Sequence, residues 1–393
     1  MNETTHVLVV GGMKVMRHKL KRLGVRISWL TDMTRVGNAN SDLEDRVLAM
    51  PLNDLDMVLS TVKALHEIDP FDHLAAFLDR DQMLASYIAA DLGIGYHAPA
   101  VVEQFNNKLL MRHRLRVHGL DTTRSAPVTS VEDLLRVGHD FGFPLILKPL
   151  DDWGSRNVSR ISSPENCETA SAKLSGTMLA EEFLSGKELS VEMFSENGHH
   201  FPICVTEKFN ERVHFVEIGH RLPYVKDTEK IFEFVSQVLT ALKLLNGPSH
   251  TEVMVKDEKI SVIETHARLG GDYIPELINM ASGLDLMGLW AQQIIGGNVS
   301  SVLVKPPEFP RYAAVWYLTD SRSGTVKQYT GVDEARRVPG IMDVHIEIPE
   351  QSSFKGTTDS FSRLASCLSV ADTPEETIAA VKSAINLLQC EIS

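Results

Sequence analysis

The chain has 393 residues, 43% of them hydrophobic and 23% charged, with a formal net charge of −13. That length calls for two or three domains, and the acidic balance argues against a general nucleic-acid or anionic-membrane surface. A local basic pocket for phosphate stays open. Cys167, Cys204, Cys367 and Cys390 lie far apart, without paired spacing for zinc or redox work. They read as reduced thiols of a soluble, cytoplasmic protein. The opening "HVLVVGG" is too short for a secretory core, and no apolar run reaches bilayer length.

In chain order, "HVLVVGGMKVMRHKLKRLGVRISWLTD" reads as strand, glycine turn, helix and strand, a βαβ unit of a parallel sheet. Gly11-Gly12 lacks the third glycine of a dinucleotide fingerprint, so a tight turn accounts for the pair. A helix over "DRDQMLASYIAADLGI" closes a first lobe near residue 100. "NNKLLMRHRLRVHGL" is a basic helix ending at Gly119, and "FGFPLILKPL" is a short apolar strand carrying Lys148. The loop "DDWGSRNVSRI" follows, then "TMLAEEFLSGKELSVEMF" as strand, turn and strand. One helix is expected over "IPELINMASGLDLMGLWAQQIIGG", and the tail alternates short strands with a helix near "PEETIAAVKSAINLLQ". The pattern is α/β overall.

Chemistry concentrates in a few places. No Walker motif, kinase set or nucleophile elbow is present; Lys187 in "SGKELS" is followed by Glu188. Lys108 and Lys148 suit phosphate contacts, although either taken alone reads more readily as a solvated or snorkelling lysine. Gly154, Ser155 and Arg156 give the loop Asp151–Val158 backbone amides and a guanidinium, which suit a lid over phosphate oxygens; the alternative is a plain surface loop. In "VIETHARLGGDYIPEL", alternate counting from Val262 puts Glu264, His266 and Arg268 on one face, a costly alignment unless something charged lies against it. "SHTEVMVKDEKISVIET" reads as a hairpin; with an odd-length loop, Glu252 falls opposite Glu264. Two facing carboxylates suit magnesium, with a salt bridge to Arg268 as the alternative.

The stretches "NNKLLMR", "FPLILKPLDDWGSRNV", "LAEEFLSGKELSVE" and "HTEVMV…VIETHARLGG", in this order, resemble the ATP-grasp superfamily of carboxylate–amine ligases. The resemblance implies the ATP-grasp fold. A Rossmann-like N-terminal lobe would cover residues 1–105, a small central lobe 106–180, and a larger α+β lobe 181–393. It implies that Lys108, Lys148, Ser155 and Arg156 meet ATP phosphates, that Glu181, Glu182 and Phe183 form the hinge at adenine, and that Glu188 takes the ribose hydroxyls. Glu252 and Glu264 would bind Mg2+, for which Mn2+ can substitute. The family commonly has Asn where this chain has His266, which leaves the third metal ligand open.

Within the superfamily the chain is similar to L-amino-acid ligases of the bacilysin-synthetase type. "FPICVTEKFNERVHFVEIGHRLP" matches their first-substrate segment, with Glu217 and His220 in the corresponding places, and Arg268 matches their active-site arginine. Gly270, Gly271 and Asp272 would line the substrate pocket; Asp272 reads alternatively as a helix N-cap. The activity implied is ATP-dependent joining of a carboxylate to an amine, giving a dipeptide or amide with ADP and phosphate. Alternatives are another ATP-grasp ligase or carboxylase acting on a non-amino-acid carboxylate, or a non-catalytic nucleotide-binding scaffold. The partners implied are small molecules, with no nucleic acid and no membrane, and a homodimer is compatible with them.

Overall fold

The run His6–Val10 is buried along its whole length, as a strand covered on both faces must be. In the computed structural model, which describes residues 4–152, 154, 156–171, 174, 176–211 and 215–393, it lies inside a parallel sheet of four strands. The order is Arg46–Ala49, Arg26–Thr31, His6–Val10, His73–Ala76, and the helix Lys14–Arg22 makes the first crossover. The glycine turn is dictated by a close approach. Gly11 has φ +62, and a Cβ there would stand 2.1 Å from Cγ of Asp81. That carboxylate accepts the Gly12 amide at 3.1 Å, so an internal anion occupies the turn.

A small antiparallel sheet follows, in the order Ser125–Val128, Met178–Glu182, Leu145–Pro149, Ser159–Ile161. Helix Val131–Phe141 buries Leu134 and Val137 against Leu145, Leu147 and Met178. The strand Met178–Glu182 runs across residue 180, the border expected for the central lobe.

An eight-stranded antiparallel sheet carries most of the remainder. Its order is Lys259–His266, Gly247–Lys256, Lys187–Glu196, His199–Asn210, Glu217–Leu222, Tyr312–Leu318, Ala365–Ala371, Ile341–Ile346. Leu189, Val191, Val253 and Val262 pack with Val235 and Leu239 of helix Thr228–Ala241. A three-stranded sheet, Ser353–Phe354, Gly324–Thr330 and Gln389–Ile392, completes the tail. Among the described residues no helix is long and apolar enough to cross a membrane.

Two expectations need correction. Residues 274–297 form two helices, Ile274–Ser282 and Leu286–Ile294, because Gly283 takes φ +78 and Asp285 caps the second by accepting the Gly288 amide at 2.9 Å. The hairpin, meanwhile, does not have an odd loop. Lys256 pairs with Lys259, leaving the two-residue turn Asp257-Glu258. The parity is reversed by a β-bulge: Val253 faces Val262 but Glu252 faces Glu264, so Ile263 is the extra residue. Val262 therefore turns into the core, while Glu264 and His266 line a cleft.

Candidate active site

The cleft, of about 320 Å³, lies between the small sheet and the large one and draws residues from both. On its first side, Asn107 caps the helix Lys108–Val117 by accepting the Leu109 and Leu110 amides, which fixes Lys108 at the helix start. The Lys108 ammonium donates to the Asp152 carbonyl at 2.5 Å and stands 3.0 Å from Glu264. Lys148, buried on the strand Leu145–Pro149, is 2.7 Å from Glu181. Burial lowers its pKa, opposed by that carboxylate. Glu181 also accepts from Arg112 at 2.7 Å. Burial alone would raise the Glu181 carboxyl, but Arg112 and Lys148 hold it at about 2.

The Glu181 side chain thus positions Lys148, and Glu182 pairs with Arg124 at 2.9 Å. Phe183 forms an apolar wall with Ile146, Leu184, Phe215, Met254 and Ile263. Arg156 stacks over Phe361 at 4.3 Å. Ser155 lies outside the described residues.

At the centre, three carboxylates gather round one buried ammonium. Lys208 is 3.1 Å from Glu188 and 3.2 Å from Glu217, and it also donates to Glu252. Burial should lower its pKa, yet Glu252, Glu188 and Glu217 push it well above the usual lysine value. Burial opposes ionisation of Glu252 too, but Lys208 and then His250 bring it down to about 2. Glu188 goes the other way: burial, with Glu252 and Glu217 nearby, raises it against the pull of Lys208. Burial likewise works against Glu264, and Lys108 and then His266 hold it well below the ordinary range.

Glu252 and Glu264 are direct register partners, both ionised, with Lys208 against the first and Lys108 against the second. This donor set fits one divalent cation that takes its other ligands from phosphate and water. Among the described residues no group of three or more His, Cys, Asp or Glu assembles as a metal cage. Both ring nitrogens of His266 have partners here: Nδ1 faces Asp79 and Nε2 faces Glu264, each at 3.2 Å. The alternative salt bridge to Arg268 is not formed. Arg268 donates to Asp79 at 2.6 Å, and the lysines neutralise the glutamates.

On the far side, the strand Glu217–Leu222 presents Glu217 and His220 to the cleft. His220 Nε2 is 2.9 Å from Asp272, and Arg363 forks onto the same carboxylate, with Nη1 at 2.8 Å. Asp272 is not an N-cap: Tyr273 occupies that position, without a side-chain cap bond. Nor is it an unpaired anion; burial is outweighed by Arg363 and His220, which hold it far below the usual range. Gly271 lines the cleft beside it, whereas Gly270 sits behind, where a Cβ would come 2.9 Å from His250 Nδ1. His250 bridges Glu192 at 2.7 Å and Glu252 at 3.3 Å. Against the effect of burial, Glu192 first and then Glu252 raise it to about 9.

Sequence reasoning missed Asp79, Lys208, His250 and Arg363. For Lys208 a signal existed: "ICVTEK" runs buried on both faces and ends in a charged pair, the same anomaly that marks Glu264. His250 was also legible, since it lies two residues before Glu252 on the same strand; Asp79 and Arg363 reach the site only through tertiary contacts.

Residues 105–272 match the family model of the ATP-grasp domain, and residues 316–393 match that of the L-amino acid ligase C-terminal domain 2. An L-arginine-specific L-amino acid ligase of Bacillus subtilis is 24% identical over 361 residues, covering 84% of this chain and 83% of the relative. An alanine–anticapsin ligase of Bacillus subtilis (strain 168) is 27% identical over 229 residues, covering 50% of this chain and 48% of that protein. In fold, the chain matches the crystal structure of an L-amino acid ligase from Bacillus licheniformis with a TM-score of 0.87 at 20% identity, over 100% of both chains.

Proposed function

This chain is an ATP-grasp enzyme of the carboxylate–amine ligase type, and from that premise we propose that it joins two amino acids. ATP phosphorylates the carboxylate of the first, and the amine of the second displaces the phosphate, giving a dipeptide or amide with ADP and phosphate. The observation that carries this reading is a single cleft holding phosphate-type cations, a facing carboxylate pair and an ammonium-type carboxylate together.

Lys108, Lys148 and Arg156 form the phosphate-binding side, and the apolar wall around Phe183 takes the adenine. Glu188 takes the ribose hydroxyls. Magnesium on Glu252 and Glu264 would neutralise phosphate charge and fix phosphate geometry when bound. Glu217 holds the α-ammonium of the first amino acid, a charge-assisted contact in a partly desolvated place. His220 and Asp272 border that substrate's carboxylate. A carboxylate oxygen attacks the γ-phosphorus in line, the β–γ bridging bond breaks, and ADP leaves. The amine nitrogen then attacks the acyl carbon, the C–O bond to phosphate breaks, and the amine proton is lost. Arg268, held by Asp79, offers planar donors to the oxyanion at both steps. Lys208 is placed to balance charge as Glu252 and Glu217 change partners.

The test is phosphate release measured with ATP, magnesium and a matrix of amino-acid pairs, with products identified by mass. Phosphate release that requires both amino acids, with one amide per phosphate, is expected. Release that ignores amino acids, or that needs bicarbonate instead, would overturn the reading.

A further inference from the structure

The short turn Asp359–Arg363 touches both halves of the cleft. Toward the nucleotide side, the Ser360 amide donates to the Gly154 carbonyl at 3.2 Å. Phe361 packs so closely on this loop that a Cβ on Gly154 would stand 2.6 Å from its Cε2, and the Arg156 guanidinium lies 4.3 Å above its ring. Toward the substrate side, the Ser360 hydroxyl donates to the Glu217 carboxylate. Arg363 donates to the Glu217 carbonyl at 3.1 Å and forks onto Asp272.

The turn is braced from within. The Ser362 hydroxyl accepts the Thr358 and Asp359 amides at 2.9 and 3.0 Å, and Asp359 accepts the Phe361 amide at 3.0 Å. The Arg363 guanidinium is stacked at 3.6 Å on Tyr317. A side chain as long as Arg156 is held in one pose only when something removes its rotamer freedom, and the Phe361 ring supplies such a surface. That ring is 55% exposed and contributes to no core, so its position at the rim serves the contact with Arg156.

We propose that this turn is a positioning element that couples the two half-reactions: Phe361 sets Arg156 over the phosphates while Arg363 sets Asp272 and Glu217 for the amino acid. The inference rests on the ligase reading above. Loss of the Phe361 contact separates phosphoryl transfer from amine attack and exposes the acyl phosphate to water, and loss of the Arg363 fork loosens the first amino acid.

Two variants test it. Phe361→Ala removes an exposed ring, so its thermal midpoint should match wild type; the KM for ATP should rise several-fold, with more phosphate released than amide formed. Phe361→Tyr should restore both. Arg363→Lys keeps the charge but loses the fork, and should raise the KM of the first amino acid by about tenfold while leaving that of ATP unchanged. A folded Phe361→Ala protein with wild-type KM and one phosphate per amide would overturn the coupling role of the ring. An unchanged amino-acid KM in Arg363→Lys would overturn that of the arginine. Wild-type protein that turns over ATP with no amino-acid pair would instead fail the ligase reading itself, and the inference with it.

Discussion

Lys208→Met removes one charge at nearly constant side-chain length, and its consequence can be worked out with its sign. The lysine side chain is 2% exposed, and the carboxylates around it, Glu188, Glu217 and Glu252, are 20%, 11% and 12% exposed. Breaking a buried pair by removing one partner costs about 3–5 kcal/mol, since the other charge is left uncompensated. In wild type the folded pKa of Glu252 is about 2, below its unfolded value of about 4.3. Its contribution to stability is therefore present above the unfolded value and lost as pH falls toward 2.

Without Lys208, burial and the neighbouring carboxylates remain and act to raise the folded pKa, opposed at Glu252 by His250. The variant's folded state then favours protonated carboxyls more than wild type does, so its deficit should be largest near pH 8 and shrink toward pH 5. Urea denaturation of ligand-free protein in EDTA, at intervals across that range, measures it. A deficit below about 1 kcal/mol at pH 8, or one independent of pH, would refute the assignment of Lys208 as the charge that holds the three carboxylates.

Glu264→Gln should abolish phosphate release at any magnesium concentration, whereas Lys63→Gln, at an exposed lysine 3.8 Å from Asp91, should leave it unchanged; near-normal release from the first would sink the metal assignment. Glu217→Gln should raise the KM of the first amino acid far more than that of ATP, by a loss of about 1.5–3 kcal/mol for a charge-assisted hydrogen bond; initial-rate kinetics in both substrates decide. Asp79→Asn weakens the contacts to Arg268 at 2.6 Å and His266 at 3.2 Å together. It should lower kcat by about tenfold or more and stability by about 3 kcal/mol. Unchanged kcat with an unchanged urea midpoint would mean that the N-terminal lobe does not position Arg268.

The helix break at Gly283 shows where a readable signal was passed over. A glycine followed two residues later by aspartate is a stop and a start, but the continuous apolar periodicity on both sides masked it. The facing of Glu252 and Glu264 was reached by a parity argument whose premise, an odd loop, fails. The bulge at Ile263 restored the result, and nothing local announces a bulge in "SVIET". Asp272 illustrates the limit of reading charge from sequence. Next to glycines and ahead of a helix, it reads as a cap or as a free anion, and Arg363, 91 residues later, removes both options.

What the sequence determined by itself is what depends on near neighbours. The βαβ start follows from apolar runs and a glycine pair, and Lys148 and Glu264 are marked because charged groups on otherwise buried strands need a reason to be there. The tertiary structure alone decided the partners of those charges. Asp79 reaches Arg268 across 189 positions, Arg363 reaches Glu217 across 146, and Lys208 meets carboxylates from three other strands. A buried charge specifies that it must be compensated, since leaving it unpaired costs several kcal/mol, but any ion of opposite sign meets that demand equally well. Which one does so is settled by the strand order of the large sheet and by where the N-terminal helix and the C-terminal turn come to rest against it.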